Sequence, residues 1–169
     1  MEAPKSMSVV KQAVGLVAWL FVSFAAAAIG AWASVNAPEF YRELDRPSWA
    51  PPASVFGPVW TMLYTLQGIA AWLVWRERGF HGARIALGLF LVQLALNALW
   101  SWLFFVWHRG TAAFGEVLFL EAMIVATTFA FWRVRTLSGL LLIPYLIWVG
   151  FASFLTFAVW QRNPGLLGG

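Results

Sequence analysis

Glu116 and Glu121 stand alone as charges in "GTAAFGEVLFLEAMIVATTFAFW", a stretch otherwise suited to lipid. A carboxylate near the centre of a membrane helix costs about 2.5–3.5 kcal/mol on insertion scales, so each must be protonated or partnered. Such groups can relay protons or line a cation path, and Glu121 is the candidate for a proton- or ion-coupled carrier of small molecules. A spacing of five puts them about 140° apart on a helix of 3.6 residues per turn, which rules against a paired acid and base. The two histidines, His81 and His108, fall at opposite ends of the apolar runs and cannot share a metal. With no cysteine in the chain, thiolate metal sites, disulfides and cysteine nucleophiles are excluded. Neither a nucleophile triad nor a phosphate-binding glycine loop is present, so no metal site and no firm catalytic residue is expected.

A second set of residues suggests binding. "RPSWAPPASVFGPVW", from Arg46 to Trp60, joins prolines and tryptophans in the only long polar connection, residues 37–55. Each proline fixes its own φ and holds the residue before it extended, so the segment loses little entropy on ordering and reads as a stiff lid. Trp49 is expected to hang from it over the mouth of a helix bundle, beside Arg42 and Arg46. Aromatic faces next to guanidinium groups suit a flat, conjugated ligand carrying carboxylates. The plainer alternatives are that Trp49 anchors at the headgroups and that both arginines balance Glu39, Glu43 and Asp45 in solvent.

Helical spacing places Gln93, Asn97, Trp100, Ser101 and Phe104 on one face, Trp60, Tyr64 and Gln67 on another, and Tyr145, Trp148, Ala152 and Leu155 on a third. The lid-side halves of the apolar runs then hold Trp32, Trp60, Tyr64, Trp100, Phe104, Glu116 and Ala152. An aromatic pocket under the loop is expected, with Asn97 as its polar floor, joined by Gln93, Gln67 and Tyr145. The alternative is that these amides only bond neighbouring helices together.

The elements that must position these residues are transmembrane helices. Of 169 residues, 62% are hydrophobic and 11% charged. Runs of about 20 apolar residues cross a bilayer, and five are marked off at 14–35, 58–75, 85–107, 111–132 and 137–160. Short links among the last four require antiparallel neighbours. The expected fold is therefore all-α: a single domain, residues 1–169, forming a five-transmembrane-helix bundle with an ordered Pro/Trp-rich loop between helices 1 and 2. Ser54 is a candidate cap and Pro58 a first-turn proline for the second helix, while Pro144 is expected to kink the fifth. Trp75, Trp107, Trp132 and Trp160 sit at run ends as interfacial anchors.

The net charge of +4 flanks the spans instead of forming a nucleic-acid patch. Lys5, Lys11, Arg76, Arg78, Arg84, Arg133 and Arg135 fall on the N-terminal side, against Arg42, Arg46, Arg109 and Arg162 on the other. The bias favours a cytoplasmic N-terminus in an inner membrane; sorting to an outer membrane would escape that rule. "AWAS" has the form of a signal-peptidase site after Ala33, but the apolar run is longer than a usual signal core, so its retention as a helix is expected.

"RPSWAPP" followed by Phe56, Pro58, Trp60 and Tyr64, then "LNALWSWLFF", then "PYLIWVGFASFL", in that order, resembles the translocator protein family, called tryptophan-rich sensory proteins in bacteria. The resemblance implies a five-helix bacterial membrane protein and a homodimer. It also implies a pocket lined or closed by Trp49, Asn97, Trp100, Trp148, Phe151 and Ala152 that takes porphyrins, haem-like tetrapyrroles and isoquinoline-type drugs as ligands, with no tightly bound cofactor. Tetrapyrrole traffic, sensing or light-dependent porphyrin breakdown would follow, the last with Trp49 and Trp148 nearest the macrocycle. The family's sterol-associated pattern needs a tyrosine where "LTFAVWQR" has Phe157, so sterol binding is not expected.

Overall fold

The computed structural model describes residues 8–168, so Lys5, counted above in the charge bias, lies outside the described residues. Helix α1 (Val9–Ala33) starts where the Ser8 hydroxyl accepts from the Lys11 backbone N–H, a side-chain cap. The short helix α2 (Ala37–Glu43) occupies the first part of the loop, with Pro38 in its first turn, where a missing N–H costs no helical bond. A 3₁₀ turn, Ala53–Val55, leads into α3 (Phe56–Gly82). Then come α4 (Arg84–Ser101), a π-helical turn (Trp102–Val106), α5 (Gly110–Val134), α6 (Thr136–Arg162) and the four-residue α7 (Pro164–Leu167).

The protein is an all-helical membrane bundle. Four of its long helices, α1, α4 with the π-turn, α5 and α6, are long and apolar enough to cross a bilayer. The fifth, α3, is as long as α6 at 27 residues and packs against both α1 and α6. Its Trp60, Tyr64 and Gln67 lower its hydropathy, and these are residues that face the cavity or the polar interior described below.

Several boundaries differ from the sequence reading. The second span extends about one turn beyond Trp75 to Gly79, whose φ of 65° is a left-handed conformation that glycine enters without a Cβ clash, and helical residues continue past that kink to Gly82. Ser54 does not cap α3, because it lies inside the 3₁₀ turn and the cap position falls to Val55, which has no side-chain bond to give. Helix α6 continues through Pro144 as one element. Trp75 is no interfacial anchor: it is 8% exposed and packed with Trp19, Phe90 and Phe131 in a cluster at the end of the bundle away from the loop. Trp107 and Trp132 do present themselves outward.

Close approach of α1 to α3 is set by two glycines. Without a hydrophobic force between helices in lipid, packing contacts must hold them, and small residues bring backbones together. Gly15 lies directly under the Trp75 ring, and a Cβ at Gly68 would meet the Leu20 Cα at 3.1 Å and the Ser23 hydroxyl at 3.2 Å. The Trp72 indole N–H donates to the Gln12 carbonyl at 2.9 Å and ties the same seam. Ion pairs mark the two ends, Glu77 with Arg135 at 3.6 Å on one side and Asp45 with Arg162 at 3.7 Å on the other.

Gly15→Ala should therefore lower the thermal unfolding midpoint in detergent, by the equivalent of about 1–3 kcal/mol of overpacking. Gly88→Ala, where a Cβ meets nothing within 4 Å, serves as the neutral comparison.

Candidate functional site: an aromatic cavity beneath the loop

The lid is ordered by polar contacts that its proline content alone does not reveal. Tyr41, buried on α2, donates its hydroxyl to the Pro51 carbonyl at 3.0 Å and so closes the loop upon itself. The Arg46 guanidinium sits 4.6 Å above the Tyr41 ring, and Phe56 meets that ring edge-on at 5.6 Å. Burial pushes the Tyr41 phenol up from its ordinary pKa, with Arg46 pulling the other way. The second fastening is Asn163, at the end of α6. Its side-chain oxygen accepts from the Asp45 N–H at 2.8 Å, while its amide nitrogen donates to the Asp45 carbonyl at 2.9 Å and to the Val159 carbonyl at 2.7 Å. Lid and α6 are thus joined by a reciprocal pair of bonds.

Beneath lies a cavity of about 670 Å³. Its roof is Ala37, Pro38, Tyr41 and Ala53; one wall is the small-residue face of α1, from Ala27 to Ser34; the others carry Phe56, Trp60 and Tyr64 of α3, Asn97, Trp100 and Phe104 of α4 and its π-turn, and Trp148 and Ala152 of α6. The π-turn matters locally. It keeps Phe104 stacked on Trp100, with centroids 5.1 Å apart and planes at 12°, while Phe105 stands edge-on to both.

The floor is polar and its bonds run in one direction across three helices. Tyr64 donates to the Asn97 side-chain oxygen at 2.6 Å, and the Asn97 amide donates to the Tyr145 hydroxyl at 2.9 Å. Tyr145 donates to the Gln93 oxygen at 2.8 Å, and the Gln93 amide donates to the Gln67 oxygen at 3.0 Å. Only Tyr64 and Asn97 border the cavity; the other three lie wholly beneath it. In the walls, the indole N–H groups of Trp100 and Trp148 are buried and have no protein partner, which leaves two donors for an acceptor on a bound molecule.

Of the residues singled out from the sequence, the structure brings Trp60, Tyr64, Asn97, Trp100, Phe104, Trp148 and Ala152 into one cavity lining. Tyr145 supports the floor from below. Trp49 and Phe151 stand outside that lining. A turn closed by the Ala50 N–H on the Pro47 carbonyl carries Trp49 at its tip, half exposed, with its ring edge-on to Phe151 at 5.9 Å; Phe151 in turn packs on Trp148 at 5.5 Å. Arg42 and Arg46 do not line the cavity either, since Arg42 is tied to the Pro38 carbonyl of its own helix at 3.1 Å and Arg46 covers Tyr41. Trp32 is exposed on the outside of α1, where its ring meets Trp102 edge-on at 6.1 Å, and it does not line the cavity.

Glu116 and Glu121 flank the buried stripe of α5 formed by Val117, Leu120 and Ile124, and neither lines the cavity. Both Glu116 oxygens and one Glu121 oxygen are buried without a bonding partner, and Glu121 lies against Gly150 of α6. Sequence reasoning missed Tyr41 and Asn163. The signal for Asn163 was available, since Asn-Pro after a helical run marks a stop at which the Asn side chain is free to bond backbone. Tyr41 had none, because its partner is a carbonyl ten residues away.

The match with known proteins is direct. A model of the TspO/MBR family covers residues 16–161. The chain belongs to this family. It is 41% identical over 132 residues to the translocator protein of Homo sapiens, covering 77% of this chain and 78% of the human one. It is 39% identical to protein CrtK of Rhodobacter capsulatus, covering 83% of this chain and 89% of CrtK. To the tryptophan-rich sensory protein of Cereibacter sphaeroides it is 38% identical, with 85% and 91% covered. Family membership and several apolar helices make it a multi-pass membrane protein.

Two outcomes follow from the geometry. Tyr145→Phe strands the Asn97 amide and the Gln93 oxygen, and should cost about 1–3 kcal/mol, read as a lower unfolding midpoint. Asn163→Ala should leave the bundle folded but raise hydrogen exchange and proteolysis across 44–52, because the lid loses its two backbone hydrogen bonds to Asn163 and keeps only the exposed Asp45–Arg162 ion pair and the Trp49–Phe151 ring contact with α6.

Proposed function

We propose that this member of the TspO/MBR family is a membrane receptor that binds flat, conjugated tetrapyrroles of the protoporphyrin or haem type in the cavity beneath its lid, and senses or passes on their level. The observation that carries this reading is the cavity itself, about 670 Å³ and walled by the rings of Phe56, Trp60, Tyr64, Trp100, Phe104 and Trp148. Its size falls within the roughly 300–1,000 Å³ of small-molecule sites, and its few polar groups are gathered where they would orient a ligand. Offset and edge-on ring contacts suit an extended π-system better than a flexible chain. Names among the relatives, translocator and tryptophan-rich sensory protein, agree with such a role. Isoquinoline-type drugs present the same flat aromatic surface, and a homodimer is the expected assembly.

Purified protein titrated in darkness with protoporphyrin should show saturable quenching of tryptophan fluorescence. Asn97→Leu and Trp148→Ala should each weaken binding about tenfold or more, a loss of about 1.4 kcal/mol or above, while circular dichroism stays that of a helical bundle. Quenching that never saturates, or equal affinity in both variants, would overturn the proposed site. Repeating the titration under illumination separates binding from light-driven breakdown: spectral loss that requires light and is reduced in Trp148→Phe would add photochemistry at the cavity wall.

A further inference from the structure

The walls of the cavity are unequal. Every lining residue from α4, the π-turn, α5 and α6 is buried or half-buried. The exposed members are Phe24, Ala28 and Ala31 on α1, Pro38 at the start of α2, and Gly57 and Thr61 on α3. Exposure is therefore concentrated on one side, the seam between α1 and α3, with Pro38 the exposed member of the roof. In the half away from the lid that seam is shut by Gly15 under Trp75, Gly68 against Leu20 and Ser23, and Trp72 bonded to the Gln12 carbonyl. Phe24 and Tyr64, with ring centroids 6.4 Å apart, are the ring contact that closes it toward the cavity. Beyond them α1 offers only small residues, Ala27, Ala28, Gly30, Ala31 and then Ser34, and a Cβ at Gly57 on α3 would meet nothing within 4 Å.

What the gap opens onto is set by its surroundings. The outward face of α1 beside it carries Phe21, Ile29 and Trp32, all exposed and apolar, which places it against acyl chains. On the water side the lid is fastened in the same structure. Tyr41 is bonded to Pro51, Asp45 to Asn163 twice, and the Trp49 turn lies on Phe151.

We propose that the cavity exchanges its ligand with the hydrocarbon layer through the gap between α1 and α3, while the lid stays shut. The inference rests on the ligand reading above and narrows it to flat, mainly apolar molecules already dissolved in the bilayer. Such a molecule passes between Ala28 and Ala31 on α1 and Gly57 and Thr61 on α3 without breaking any lid hydrogen bond, with the Phe24 ring at the inner edge of the gap.

The chain has no cysteine, so engineered thiols are unique. Protein in lipid nanodiscs is loaded with protoporphyrin and its release into excess empty vesicles is timed. Bulky maleimides attached after loading to Ala28→Cys or Thr61→Cys should slow release about tenfold or more, whereas a lid locked by an oxidised Asp45→Cys/Asn163→Cys pair should release within about twofold of wild type. Release slowed tenfold by the locked lid, or unaltered by both maleimides, overturns the route. A porphyrin-free arm places a nitroxide on Ser101→Cys, on the wall facing α1. Collisions with lipid-soluble oxygen should exceed those with an aqueous nickel chelate; the reverse order also overturns the route. Should wild type take up no saturable protoporphyrin, the ligand reading fails by itself, and the nitroxide still decides whether the cavity opens to lipid.

Discussion

Five side chains, Tyr64, Asn97, Tyr145, Gln93 and Gln67, share four hydrogen bonds between 2.6 and 3.0 Å and tie α3, α4 and α6 at one level. Lipid supplies no hydrophobic force between helices, so a membrane bundle is held by packing and by bonds of this kind. A cavity of about 670 Å³ removes packing contacts from the lid-side half of the helices. The polar chain sits directly under that gap in packing and fixes the spacing of the helices where the rings can no longer do so. Each link depends on the next: with Gln93 accepting from Tyr145 and donating to Gln67, the Tyr145 oxygen is left to accept from Asn97, which orients the amide at the cavity floor.

The two ends of the bundle then follow different rules. Away from the lid, Trp19, Trp75, Phe90 and Phe131 fill the interior, and glycines let α1 lie tightly on α3. Toward the lid, aromatic rings line the space instead of filling it, and closure passes to a segment outside the apolar helices. That segment can use polar bonds because its ends meet the headgroup region and water. Tyr41 and Asn163 serve where a glycine or tryptophan would serve deeper in the bundle.

Much of this was legible in the sequence. Five apolar runs, the last four separated by short links, specified the helices, and 3.6-residue spacing put Asn97, Trp100 and Phe104 on one face with the side chains that do share the cavity. Spacing also separated Glu116 from Glu121 correctly, on either side of the α5 stripe. What spacing could not supply was the direction of side chains on the loop. Trp49 falls at the tip of a turn closed from Ala50 to Pro47, and that turn aims its ring along the rim and not into the space below. Likewise the sequence places Trp32 among the pocket aromatics and Trp75 at the interface, yet the first faces out and the second is buried, because their rotation about the helix axis is decided by neighbours distant in sequence.

Asn97 reaches the cavity while Gln67 and Gln93 stay below it, although all three are amides at depth in their helices. The difference lies in what stands lidward of each. Asn97 is followed one turn later by Trp100 and Ser101, whose side chains line open space, whereas the side chains of Gln67 and Gln93 are turned toward each other across the α3–α4 interface. An amide with every neighbour inside the protein is out of a ligand's reach even where, as at the Gln67 amide nitrogen, a donor is left over. The same amide beside an unfilled space keeps bonding capacity for something else. By that criterion the aromatic half of the bundle ends at Tyr64 and Asn97, which belong both to the bonds that hold the helices and to the surface a ligand would touch.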